Sequence, residues 1–95
     1  VSTPLLVTTN GVSKDHHRDE ICAEVVQLLI QERKRQKISG NVVAEKSGLS
    51  QSLISSLETN PWNPTLDTLL RIGDVLKVDV GEIISQARKK ILHGK

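Results

Sequence analysis

The stretch from Val42 to Leu57, VVAEKSGLSQSLISSL, constrains the fold of this chain more than any other. Small and apolar residues fall where two short helices meeting at a sharp turn need them. Ala44 is a small side chain at the point where the two backbones approach. Gly48, four residues later, can enter the left-handed region at little cost and so can make the turn. Val43, Leu49, Ile54 and Leu57 are spaced to lock the two helices together. Ser39 and Ser50 stand one residue before each helix, where a hydroxyl accepts an otherwise unpaired backbone N–H.

The rest of the chain extends this helical pattern. Residues 1–18 are polar, carry the turn signals Thr3-Pro4 and Asn10-Gly11, and read as a flexible arm. Leu5, Leu6 and Val7 within the arm could dock on a partner subunit. A first helix is expected from about Asp19 to Lys37, with Ile21, Val25, Leu28 and Leu29 in one stripe. Asp19 and Glu20 near its start and Arg33 to Lys37 near its end would suit the helix dipole. Helices over Gly40–Ser47 and Gln51–Thr59 follow. The prolines of Asn60-Pro61-Trp62-Asn63-Pro64 keep that segment from being helical. Thr65 caps a fourth helix whose apolar positions are Leu66, Leu69, Leu70, Ile72 and Leu76. Asp79-x-x-Glu82 resembles a capping box and opens a fifth helix, with Ile83, Ile84, Ala87 and Ile91 on its apolar face and Leu92 as a further candidate for it.

These elements make one all-α domain, a compact five-helix bundle over 19–92, with a C-terminal tail of 93–95. The 95 residues allow one small domain. Without Phe or Tyr the core must come from Leu, Ile, Val and Ala. Such a core stabilises a domain of this size by only roughly 3–5 kcal/mol, so a homodimer would add useful stability.

The formal charge of +2 permits a polyanionic partner without establishing one. The single cysteine, Cys22, allows no intramolecular disulfide, and the chain reads as cytoplasmic. No apolar run approaches the roughly 20 residues that span a bilayer, so no membrane partner is expected. Asp15, His16, His17, Asp19 and Cys22 lie close in sequence, but adjacent histidines on a helix cannot easily share one ion, and no second cluster completes a tetrahedral set. No phosphate loop, Ser-His-Asp set or carboxylate pair stands out. The reading therefore includes no metal, no cofactor and no catalytic residue.

Two short helices joined in this way form a helix-turn-helix, whose second helix can lie in the DNA major groove. The bland alternative is a small helical domain that has the pattern without that use. The chain resembles the lambda-repressor-like, Xre-type helix-turn-helix family over roughly residues 25–84. Arg33 matches the family's first-helix arginine and Glu58 the glutamate that ends its recognition helix. Asn63-Pro64-Thr65-Leu66 matches its entry to the fourth helix, and Leu69, Leu76 and Val78 fit the apolar pattern beyond that entry. The resemblance implies an ion pair between Arg33 and Glu58, tying helix one to helix three. It also implies base reading at Gln51, Ser52 and Ser56. The chain departs from the pattern at Gly40, where the family often has Gln, and at Asn60 and Lys77, where it usually has Gly.

On helix three, Ile54 and Leu57 must face inward, which leaves Gln51, Ser52, Ser55 and Ser56 on the opposite side. Gln51 can pair bidentately with adenine, and Ser52 with either purine edge. Leu53 either touches a thymine methyl or packs at the helix edge. Phosphate contacts are expected from Lys37, Ser39 and Asn41 on one strand and from Asn63 and Thr65 on the other. Trp62 reads as a structural residue beside helix four rather than one pressing on DNA or a partner.

The expected function is a sequence-specific regulator of transcription, more a repressor than an activator, on double-stranded DNA of the nucleoid. As a dimer it would set two recognition helices about 34–36 Å apart. Ile84, Ala87 and Ile91 form the expected dimer surface, unless they only pack on helix one. Two other readings stay open. One is an antitoxin that holds a toxin protein through the arm or tail. The other is a protein-interaction module on the same fold.

Overall fold

The structure, a computed structural model, describes residues 11–61 and 64–93, and their side chains except for 11–16 and 93. The described residues form five α-helices and no strand: α1 (Gly11–Arg35), α2 (Gly40–Ser47), α3 (Gln51–Thr59), α4 (Leu66–Leu76) and α5 (Val80–His93).

Three helices begin on the hydroxyl caps that the sequence placed. Ser39 Oγ accepts from Val42 N, Ser50 Oγ from Leu53 N, and Thr65 Oγ1 from Thr68 N. Before α5, Asp79 Oδ1 accepts from Gly81 N. Three helices end through a residue in the left-handed region: Lys37 after α1, Gly48 after α2 and Lys77 after α4. At Lys37 and Lys77 the chain closes with paired hydrogen bonds to the last-turn carbonyls. Ile38 N donates to Arg33 O and Lys37 N to Lys34 O; Val78 N donates to Gly73 O and Lys77 N to Asp74 O.

The core is aliphatic. Val25, Val26 and Leu29 of α1 meet Val43 and Ala44 of α2, Ile54 and Leu57 of α3, Leu69, Ile72 and Leu76 of α4, and Val80 and Ala87 of α5. α5 runs along α1, and Lys90 reaches back to Glu24 at 3.0 Å. α2 packs on both α3 and α4. Gly73 lets α5 turn tightly against α4, because a Cβ there would collide with Val80 Cγ2.

The structure corrects three expectations. α1 starts at Gly11, not near Asp19, so residues 11–18 are helical. Asp19 and Glu20 therefore lie two turns inside α1, where they face no helix end. α1 also stops at Arg35, because Lys37 leaves helical geometry. Finally, Leu66 and Leu70 are not core residues. α4 buries the side that carries Leu69, Ile72, Gly73 and Leu76, and those two leucines fall at its edge with 60% and 47% exposure.

Candidate nucleic-acid interface

The α2–α3 corner is built from short-range contacts. Gly48 adopts φ +77° and its N–H returns to Ala44 O. The buried Ser47 donates through Oγ to Ala44 O and accepts from Leu49 N, which bridges the turn from inside. Arg71 closes it from outside, donating through Nη1 to Ser47 O at 3.0 Å while its Nε holds Asp67 at 2.8 Å. Sequence reasoning missed Ser47 and Arg71. Ser47 acts on its own neighbours, so a serine just before the turn glycine was a local signal, whereas Arg71 acts on a carbonyl brought near by folding.

The far end of α3 is fixed by Arg33. Its Nη2 lies 2.8 Å from Glu58 Oε2, and its Nη1 donates to Ile38 O at 2.8 Å. The guanidinium thus joins the end of α1, the loop into α2 and the last turn of α3. It is largely buried, so solvent screens the pair little. The structure brings together the two residues named on resemblance.

Held at both ends, α3 buries Ile54 and Leu57 and exposes Gln51, Ser52, Ser55 and Ser56. Leu53 is also partly in solvent, at 36%. Lys37, Ser39 and Asn41 are all exposed around the start of α2. Ser39 keeps its hydroxyl proton, because as a cap it only accepts. Thr65 differs, since its hydroxyl accepts from Thr68 N and donates to Thr68 Oγ1. Thr65 can therefore offer an anion its backbone N–H but not its side-chain proton. Asn63 and Trp62 lie outside the described residues. At Gly40 a Cβ would sit 3.5 Å from Ile54 Cγ2, an ordinary contact, so a β-carbon would fit there.

Residues 29–83 match the helix-turn-helix family model, more than half of the chain. The chain belongs to the lambda-repressor-like, Xre-type helix-turn-helix family. The chain is also similar to an immunity repressor protein of Bacillus phage phi105, with 33% identity over 54 residues. That match covers 57% of this chain and 38% of the phage protein, so the chain spans well under half of its relative. No solved structure gives a significant match.

For an Xre-type domain, what surrounds the corner matters as well. Among the described residues no three His, Cys, Asp or Glu side chains are grouped to hold a metal ion. No described helix is long and apolar enough to cross a membrane. Of the three α5 residues expected at a dimer surface, Ala87 lies in the core and Ile84 packs against it. Ala87 has no exposed area, and Ile84 and Ile91 are half-buried. Ala87 therefore has nothing to offer a partner. Near the α4–α5 corner, Arg35 and Gln36 hydrogen-bond Glu32 and hold its carboxyl down at about 2, against 4.5 for a free glutamate. Gln36 also donates to Leu76 O at 2.8 Å, tying α1 to the end of α4.

Proposed function

We propose that this chain regulates transcription by binding duplex DNA in a sequence-dependent way, as a homodimeric repressor. α3 enters the major groove with its N-terminal end foremost. Gln51 and Ser52 read base edges there, and Ser55 and Ser56 line the groove wall. Lys37, Ser39 and Asn41 at the start of α2, with Asn63 and the backbone at Thr65, hold phosphates. The observation that carries this reading is the state of α3. It is clamped by Arg33 at one end and by the Arg71-braced turn at the other, and it presents one wholly exposed polar side. The printed name of the phage relative supports the repressor role.

α3 has no Lys or Arg, so its side chains supply hydrogen bonds but no charge. Affinity then comes from the phosphate contacts and falls steeply with salt, while discrimination among sites is modest and helped by DNA shape. The test starts by selecting bound sequences from a random duplex pool. Gln51→Ala should then weaken the selected site about ten- to a hundredfold, as expected for one bidentate contact, and leave random DNA unchanged. Equal weakening of both would remove Gln51 from base reading. Binding that ignores added salt would remove the phosphate contacts.

A further inference from the structure

Leu66 and Leu70 are the two most exposed large apolar side chains among the described residues, and they stand one turn apart on α4. Their periodicity marks them as apolar positions, yet the bundle leaves them in water. Beside them run Asp67 and Arg71, an exposed ion pair at 2.8 Å with side chains 72% and 48% accessible. We propose that this strip of α4 is the self-association surface, covered by α4 of a second copy packed antiparallel about a two-fold axis.

The charges select both the occupant and the direction. A two-fold axis between Leu66 and Leu70 sets Leu66 against the partner's Leu70, and the reverse, so each leucine pair is buried twice. In that arrangement Asp67 lies about 3 Å along the helix axis from the partner's Arg71, from a rise of 1.5 Å per residue. The intrachain pairs then merge into a row of alternating sign. Parallel packing would instead carry the partner's Asp67 and Arg71 to the far side of the leucine seam, where they meet no opposite charge of the strip. The strip is thus complementary to itself in one orientation only. None of its four residues is among those assigned to DNA. α5 is the weaker candidate, because Ala87 is spent inside the bundle and the exposed Leu92 stands alone at its end.

The inference rests on the proposed homodimer and assigns its surface. The mass of the full chain, measured by sedimentation equilibrium without DNA, tests both. The wild type should sediment near twice 10.5 kDa at micromolar concentration. Leu66→Glu with Leu70→Glu should return it to 10.5 kDa, with an unchanged helical circular dichroism signal. Asp67→Arg, which sets like charges across the axis, should weaken the dimer several-fold at low salt and less at high salt. Leu92→Glu should leave the mass at the wild-type value. A dimer that survives the double leucine change overturns the surface while the homodimer stands. If that dimer is lost on removing residues 1–10, the interface belongs to the N-terminal segment instead. A wild-type chain that stays monomeric overturns the homodimer and the surface together, whatever its DNA binding.

Discussion

The molecule turns two comparable corners, one between α2 and α3 and one between α4 and α5. At each, a helix ends through a left-handed residue, Gly48 at φ +77° or Lys77 at φ +61°. At each, a long side chain from elsewhere in the bundle takes a last-turn carbonyl: Arg71 of α4 takes Ser47 O, and Gln36, just after α1, takes Leu76 O. They differ in the residue at the turn. A Cβ on Gly48 would lie 3.3 Å from Arg71 Nη1, so the arginine that braces the corner also crowds it. Lys77 is exposed, and its side chain leaves into open solvent. A left-handed position thus accepts lysine at a conformational cost where space is open. Glycine is favoured more strongly at Gly48, where a Cβ would also press on the tip of Arg71. The crowded corner is the one that aims α3.

The comparison can be broken most sharply at Gly48. Gly48→Val should cost roughly 2–4 kcal/mol in urea unfolding, from the left-handed backbone and the contact with Arg71 combined. Repeating the change in an Arg71→Ala background should recover part of that loss. Identical costs in both backgrounds would mean that crowding plays no part. Glu58→Ala comes next, at about 2 kcal/mol, because it strands a largely buried guanidinium. It should also lower affinity for the selected operator by loosening the far end of α3. At the second corner, Gln36→Leu should cost about 1 kcal/mol by freeing the Leu76 carbonyl, read from the urea midpoint. Lys77→Gly should go the other way and stabilise by about 0.5 kcal/mol, through relief of the left-handed strain. A loss there would show that Lys77 makes a contact worth more than its strain.

The smallest effect concerns acid. Glu32 has its folded pKa depressed to about 2 from 4.5, so its contribution is present above pH 4.5 and is lost as pH falls toward 2. Glu32→Gln should flatten that part of the stability profile, lowering stability slightly above pH 4.5 and leaving it nearly unchanged near pH 2. A profile identical to wild type between pH 4.5 and 2 would remove Glu32 from the acid limb.

What could be read from the sequence was local. Ser39, Ser50 and Thr65 cap their own helices, and Gly48 makes its own turn, so a few neighbouring residues suffice to place them. Asn60 obeys the same logic, since Pro61 keeps it out of the helical region, at φ −145° and ψ 78°. Arg33 and Glu58 are far apart in the chain and pair through family resemblance alone. The start of α1 was missed because residues 11–18 are polar and the apolar stripe begins only at Ile21. Leu66 and Leu70 were misplaced because α4 has apolar residues around more of its circumference than the bundle can cover. Arg71 and Gln36 act on carbonyls of other helices, which no local pattern encodes. Gly73 did leave a signal, a glycine inside an otherwise good helix, where it would normally be a liability.

The antiparallel seam between α1 and α5 has a mechanical consequence. Its open end holds the start of α1 and the end of α5, while the reading corner sits near its closed end. Strain applied between the two ends therefore opens the seam one turn at a time, like a zip, before it reaches Arg33. Partial opening at that end would leave α2, α3 and α4 folded. Amide exchange should accordingly be fastest at the outer turns of α1 and α5 and slowest around Val43 and Leu76, the two most deeply buried large side chains. The proposed DNA-binding surface is thereby set apart from fraying at the outer ends of α1 and α5.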